Sequence, residues 1–366
     1  MSTSNQHIHL KGLNGIRAIA AIAVVVSHTN LGLGDFNLPA IKSISLAGHG
    51  VTMFFALSGF LITYLLLHEQ SKQDINIKKF YLRRVLRIWP LYYLYLFISI
   101  FVAYRSGISQ EPFQFSLVYY SLLAANIPFI FGGTIPFIAH LWSIGVEEQF
   151  YLFWPWIVKL AKHKTLKVIT SFTIIFITIK MICRFIEYNW GNPYPYLIVQ
   201  VTRFDCMAIG SMGAILLYFK NTLFEKIVNS KVAQLLSWLV VSLLAINKFH
   251  IAGIIDPEII SLITVIIIVN VSTNSKTLIH LDYSLLNFLG RISYGIYVIH
   301  PLIIFLYSRF LNRFEFSAWE KYVLVYTGVI SLTITIAYLS YEFYEKWFIN
   351  LKEKFSVVKS SSIKYV

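Results

Sequence analysis

Long apolar runs recur along this 366-residue chain from Leu13 to Trp347. Each is close to the ~20 residues that an α-helix needs to cross the hydrocarbon core of a bilayer. Backbone polar groups find no water there, so irregular segments at that depth must be buried in protein or face a watery cavity. Composition agrees with this setting. Apolar residues make up 57% of the chain and charged residues only 13%. A soluble domain carries about 25% charged residues, so this chain has too few to cover a water-facing surface. Twenty-nine Phe, 23 Tyr and 8 Trp fit aromatic belts at two interfaces.

The formal net charge of +14 raises the question of nucleic acid, and its placement answers it. Spans are predicted near residues 13–31, 48–68, 88–105, 142–160, 166–186, 203–219, 232–249, 257–272, 286–310 and 320–344. Basic residues then gather on alternate connections: Lys11; Lys72 to Arg87; Lys159 to Lys167; Lys220 to Lys231; Lys276 and Arg291; and the C-terminal lysines. The other side carries scattered charges such as Lys42, Arg105, Lys248 and Arg313. By the positive-inside rule both termini are cytoplasmic, which needs an even number of spans. The expected fold is therefore all-α: a polytopic integral membrane protein of about ten transmembrane helices with cytoplasmic N- and C-termini. Its parts would be a cytoplasmic segment at 1–12, a membrane domain at 13–345 and a cytoplasmic tail at 346–366. Membrane lipids are the surface partner, and nucleic acid is not.

The first apolar stretch carries His28 and runs on without a clear cleavage site, which argues against a secretory signal. Cys183 and Cys206 fall in predicted spans and form no disulfide framework or metal pattern. Nor is there a linker, low-complexity tract or clear internal repeat. Residues 106–139 hold Pro112, Pro128, Pro136 and the Gly132–Gly133 pair, and read as a long outer loop dipping partly into the membrane. Residues 187–202, with Asn189, Gly191, Pro193 and Pro195, read as a second outer loop.

Several spans carry polar groups that are costly in lipid, which makes them functional candidates. In LNGIRAIAAIAVVVSHTN, Arg17 and His28 lie about three helical turns apart on one face, separated by roughly 16 Å along the axis. They cannot bond directly; the spacing suits an anion held near one end and an imidazole working deeper. In KKFYLRRVLRIWP, Arg84 and Arg87 share a helix face, and guanidinium forks of this kind grip phosphate. A juxtamembrane basic run also sets topology and meets anionic lipid without further function. Ser58–Gly59, within GVTMFFALSGFLITYLLL, permits close approach by a helix or a ligand. In HLWSIGVEEQFYLFWP, Glu147 and Glu148 diverge by about 100°, so only one faces the interior, where it could orient His28, take its proton or pair with an arginine. A solvated interfacial charge is the plainer alternative. ISYGIYVIHP places Tyr294, Tyr297 and His300 on one slowly turning polar stripe, followed by the helix-breaking Pro301; they are candidate acceptor-facing or structural polar residues. Lys180, Arg184, Arg203 and Asp205 read as ion-pair or headgroup candidates. No metal is implied, because no histidine–carboxylate set has ligand spacing.

The order of these segments carries a resemblance. The Arg–ten residues–His opening is followed by FFALSGFLIT, FYLRRVLRIWPLYYL, WSIGVEEQFYLFWP and ISYGIYVIHP. This pattern resembles the acyltransferase-3 family of bacterial membrane O-acyltransferases over almost the whole chain, most strongly from Leu13 to Pro155. Members of that family acylate lipopolysaccharide O-antigen, capsular or exopolysaccharide, peptidoglycan and some small molecules. The resemblance implies that His28 and Arg17 form the essential first-span pair. It implies that Arg84 and Arg87 are the cytoplasmic Arg-x-x-Arg associated with the acyl-CoA donor, with Ser58 on the donor side. Glu147 matches the characteristic glutamate and Glu148 its variable neighbour. Some relatives append an extracytoplasmic serine-hydrolase-like domain; at this length the chain is expected to lack one.

The mechanism expected on this resemblance uses no bound cofactor, with acyl-CoA, acetyl-CoA by default, as co-substrate. Arg84, Arg87 and Arg17 would hold its phosphates. His28, whose unperturbed pKa is near 6.5, would act as general base on an acceptor hydroxyl that attacks the thioester, with an acyl-histidine route as the variant. A carbohydrate acceptor and a bacterial inner membrane follow from the family. Two rivals stand beside this: a transporter or lipid-linked-sugar flippase, which would use the same intramembrane charges, and a non-catalytic membrane sensor or assembly protein.

Overall fold

In a computed structural model the described residues, 10–108 and 113–355, are helical and contain no strand. Residues 1–9 of the expected N-terminal segment, 109–112 of the long loop and 356–366 of the expected tail lie outside them. The helices run in order as α1 (Leu13–Leu31), α2 (Ala47–Gln70), α3 (Ile77–Arg105), α4 (Phe113–Ser121), α5 (Asn126–Phe131), α6 (Trp142–Ala161), α7 (Thr165–Trp190) and α8 (Tyr194–Thr202). They continue with α9 (Phe204–Tyr218), α10 (Thr222–Val228), α11 (Lys231–Ala245), α12 (Asp256–Thr273), α13 (Ser284–Arg291), α14 (Ser293–Leu311), α15 (Ala318–Ser340) and α16 (Lys346–Glu353). Among the described residues, eight helical stretches are long and apolar enough to cross a membrane, or nine with the bent pair α10–α11 taken as one. The chain is a multi-pass membrane protein.

Two local expectations change and a third holds. The second outer loop shrinks to residues 191–193, because α8 forms directly after it. Pro193 precedes this helix and Pro195 sits in its first turn, where a proline has no intrahelical N–H bond to lose. Pro301 lies inside the predicted 286–310 span, and α14 runs through it to Leu311 as that span requires. One missing backbone bond is tolerated inside a packed bundle, where neighbours supply other partners. Finally, α3 begins at Ile77, capped by the Asn76 side chain, which accepts from Lys79 N at 3.0 Å. Arg84 and Arg87 therefore stand on the spanning helix itself and not on a loop before it. The expected 106–139 loop holds α4, α5 and a short turn at Ala139–Leu141.

α2 lies at the centre, packed on α1, α6, α9 and α12. Its contact with α9 is backbone to backbone. A methyl group at Gly59 would overlap the Met207 carbonyl, and one at Gly210 would overlap that of Ala56. Such crossings suit a bilayer, where close van der Waals contact and interhelical hydrogen bonds drive association. One such bond sits beside this crossing: Thr63 Oγ1 donates to Ser211 Oγ at 2.8 Å, with Trp154 Nε1 donating to Thr63 Oγ1 at 2.8 Å. Away from this axis, buried Lys180 on α7 meets Glu258 of α12 at 2.7 Å and Asp205 of α9 at 3.6 Å. Arg203 turns instead to Thr52 Oγ1 at 2.7 Å. These residues pin helices together and lie outside the cavity described next.

Candidate active site

α1, α3 and α14 begin at the same end of the bundle, and there a cavity of about 290 Å³ opens between them, α2 and α6. Arg17, Arg84, Arg87, Arg291 and Lys352 line it, against the acids Glu147, Asp282 and Glu353. The balance is cationic. Among the described residues Arg17, Arg84 and Arg87 form no salt bridge. Arg17 Nη1 donates only to Asn14 Oδ1, at 3.1 Å. Arg84 packs its guanidinium over Tyr151 at 5.6 Å and Phe80 at 5.8 Å, and its Nε is buried without a partner. Guanidinium groups without a salt bridge around one cavity have the chemistry to pair with an anion, because buried charge is costly unless paired.

Glu147 faces this cavity and Glu148 does not. Ser58 Oγ donates to Glu147 Oε1 at 2.7 Å and Tyr151 OH to Oε2 at 3.1 Å. Tyr151 follows Glu147 by four residues, so it rises from the same helix face. Glu148, one residue on, turns away and accepts from Trp89 Nε1 at 2.9 Å. The divergence expected from helix geometry is thus present, with Ser58 serving as the donor that orients the inner carboxylate. Gly59, beside it, makes the α2–α9 contact, so the Ser58–Gly59 pair divides into one residue for the cavity and one for packing.

His28 lies elsewhere. It leaves α1 on the face it shares with Arg17 but does not line the cavity. Its Nδ1 stands 2.7 Å from Nε2 of His300 on α14. A third histidine, His140, completes the group: its ring centroid is 5.2 Å from that of His300, and its Nε2 bonds the Val298 carbonyl at 3.0 Å. Between this trio and the cavity stand Ser143 and Tyr297, which line the cavity and lie 2.6 Å apart, with Tyr297 OH donating to the His140 carbonyl at 2.9 Å. Tyr294, also at the cavity wall, donates to the Ile88 carbonyl at 2.7 Å. The stripe Tyr294–Tyr297–His300 is therefore not one surface. Its first two residues border the cavity and the third reaches the His28 imidazole.

The Acyl_transf_3 acyltransferase domain matches residues 10–342. This chain belongs to that family. The chain is 26% identical over 359 residues to O-acetyltransferase OatA of Staphylococcus aureus strain NCTC 8325 / PS 47, covering 92% of this chain and 57% of the relative. A further relative, from S. aureus strain COL, is 29% identical over 363 residues with the same shares, and its name assigns it O-acetyltransferase activity provisionally. The chain thus spans a little over half the length of these relatives. No solved structure matches it.

Sequence reasoning passed over several residues that the fold brings to this region. Tyr151, His140 and Ser143 sit inside the HLWSIGVEEQFYLFWP segment, and Tyr151 was signalled by its four-residue spacing from Glu147. Arg291 opens ISYGIYVIHP by one residue but read as a topology charge. Lys352 had no local signal at all. It reaches the cavity because α15, a turn at Tyr341–Glu345 and α16 continue helically across residues 345 and 346.

Proposed function

We propose that this acyltransferase moves an acyl group, acetyl by default, from cytoplasmic acyl-CoA to a hydroxyl of a cell-surface or exported carbohydrate such as O-antigen, exopolysaccharide or capsule. The observation that carries this reading is the set of three arginines, Arg17, Arg84 and Arg87, that line one cavity at the Arg17 end of α1 and form no salt bridge among the described residues. Phosphates of the donor would pair with those guanidinium groups. Its thioester arm would then run along α1 towards His28, about 16 Å further along the helix. Ser58 and Tyr151 keep Glu147 at the wall of that path, and Tyr297 and Ser143 border its deeper end. Tyr294 lines the donor-side wall.

His28 acts as general base in this scheme. It takes the proton of the acceptor hydroxyl as the oxygen attacks the thioester carbonyl, and returns it to the departing thiolate. General acid–base catalysis contributes typically ~10²–10⁴-fold, and holding donor and acceptor together supplies a further large factor. A single-turnover experiment with donor alone separates this route from one through acyl-histidine, because only the latter leaves label on the protein.

The topology that goes with this function has ten spans, both termini in the cytoplasm, and a place in the bacterial inner membrane. The helical run Ala139–Trp190 is 52 residues long; at 1.5 Å per residue it would extend ~78 Å against a hydrocarbon core of ~30 Å. Lys162, at φ 45° and ψ −118°, breaks it into α6 and α7. With that run taken as two spans and α10–α11 as one, the count reaches ten.

The deciding test is transfer of label from radiolabelled acetyl-CoA into the surface-glycan fraction of membranes holding wild-type or His28→Ala protein at equal abundance. Incorporation by wild type that the variant loses is the expected result. Equal incorporation by both would remove His28 from the chemistry, and none from either would count against this donor and acceptor pair.

A further inference from the structure

The three histidines differ in what their ring nitrogens touch, and the difference has a chemical consequence. His300 uses both: Nδ1 stands 3.2 Å from the carbonyl of Ile296, one turn back on α14, and Nε2 stands 2.7 Å from His28 Nδ1. His140 uses Nε2 on the Val298 carbonyl, while its Nδ1 is buried and makes no hydrogen bond of good geometry among the described residues. His28 uses Nδ1 alone. Its Nε2 has no protein partner among the described residues, and it is not among the solvent-inaccessible orphaned atoms. Among the described residues, His28 is the half-buried ring of the three, and its Nε2 is the nitrogen left without a protein hydrogen bond and outside the fully buried set.

A backbone carbonyl accepts hydrogen bonds and never donates. The Ile296 carbonyl therefore places the proton of His300 on Nδ1, and in a neutral imidazole the other nitrogen then carries the lone pair. That lone pair, on His300 Nε2, accepts from His28, so the proton of His28 sits on its Nδ1. The unshared pair of His28 is left on Nε2, the accessible nitrogen. The reverse assignment would point the lone pair of His300 at a carbonyl oxygen.

We infer that His300 is a positioning residue that fixes His28 as the Nδ1–H tautomer and aims its Nε2 at the acceptor hydroxyl. This rests on the general-base role proposed for His28 and deepens it. When the hydroxyl O–H bond breaks, the proton goes to His28 Nε2. The imidazolium that forms keeps its Nδ1–H on His300 Nε2, and the same Nε2 proton passes to the thiolate as the C–S bond of the acyl thioester breaks. His300 neither gains nor loses a proton and does not touch substrate. It holds the ring in place and prevents the Nε2–H tautomer, which free imidazole side chains favour and which could not take the proton there.

Two variants separate this role from simple packing. His300→Phe keeps a ring of similar size but offers no acceptor. His300→Gln keeps an oxygen acceptor for His28 Nδ1–H. Full-length protein labelled with ¹⁵N-histidine in phospholipid vesicles, read by solid-state NMR, gives the tautomer directly, with His28→Ala assigning the resonances. The expected result is Nδ1–H at His28 in wild type and His300→Gln, and Nε2–H in His300→Phe. In the labelled acetyl-CoA assay, His300→Phe should lower kcat about 100-fold or more with KM for acetyl-CoA within about twofold, and His300→Gln should restore most of kcat. Nε2–H at His28 in wild type would overturn the assignment, as would a His300→Phe protein with unchanged kcat. Should wild type carry the expected tautomer yet transfer no label, the donor and acceptor proposed above fail and the role of His300 in orienting the ring stands.

Discussion

Ser58 Oγ on α2 reaches Glu147 Oε1 on α6 at 2.7 Å, while Tyr151 holds the other carboxylate oxygen at 3.1 Å. Two hydroxyl donors, from two helices, hold one carboxylate at the wall of a cavity whose other charges are mainly positive. Ser58→Ala removes one donor and leaves the carboxylate free to swing toward an arginine. A hydrogen bond to a charged group is worth about 1.5–3 kcal/mol, so acyl transfer should fall roughly tenfold or more, and Glu147→Ala should cost more. Label transfer from acetyl-CoA at equal membrane abundance is the measurement. Full activity in both variants would show that this network plays no part in transfer.

Arg84 and Arg87 are expected to act on donor affinity. Neither has a salt-bridge partner among the described residues, although Arg84 packs over Tyr151 and Phe80, and the main loss should appear when the donor binds. Loss of one charge-assisted contact, again about 1.5–3 kcal/mol, predicts that Arg84→Ala and Arg87→Ala raise KM for acetyl-CoA about tenfold to a hundredfold. Their kcat should change less. Lysine at either position should recover only part of the affinity, because an ammonium cannot make the two-pronged contact. A fall in kcat at unchanged KM would instead place these arginines in the chemical step.

Lys180, Asp205 and Glu258 form a buried group away from the cavity. Lys180→Met leaves two carboxylates buried against each other. Removing one partner of a buried pair costs about 3–5 kcal/mol, so thermal stability in detergent should drop steeply. The triple change Lys180→Met, Asp205→Asn, Glu258→Gln leaves no lone charge and should recover much of it. A melting temperature for Lys180→Met equal to wild type would show that the triad bears no stability.

Gly59→Leu is expected to push α2 away from α9, because even a methyl group there meets the Met207 carbonyl. Overpacking costs typically 1–3 kcal/mol, and a leucine against backbone has no room to adapt. Membrane abundance should fall, while Gly34→Leu, at an open position with nothing within 4 Å of a Cβ, should leave it unchanged. Equal abundance of the two would argue against a tight α2–α9 crossing.

Much of the site was legible because helical spacing is a local property. The eleven-residue step from Arg17 to His28, the three-residue step from Arg84 to Arg87, and the divergence of Glu147 from Glu148 all follow from 3.6 residues per turn. The same rule misled at Tyr294, Tyr297 and His300. It placed them on one stripe, yet each finds its partner on a different element, and a stripe that turns slowly passes from one neighbour to the next. Pro193 and Pro195 misled for a related reason. Proline forfeits one backbone bond, and whether that ends a helix depends on its position in the turn and on the packing around it.

By itself the sequence determined the environment and the secondary structure. Runs of apolar residues long enough to cross a bilayer, with so few charges, have no other stable form, since every backbone group must bond within its own helix. It also marked which polar residues bear a cost in lipid. Only the tertiary structure decided how those residues are grouped. It gathered the arginines of α1 and α3 with Glu147 around one cavity, set His28 apart on His300, and brought Lys352 in from the far end of the chain. Contacts between residues hundreds of positions apart depend on which helices touch, and helix contact in a membrane is settled by close fits such as Gly59 against Met207, which leave no periodic mark in a sequence.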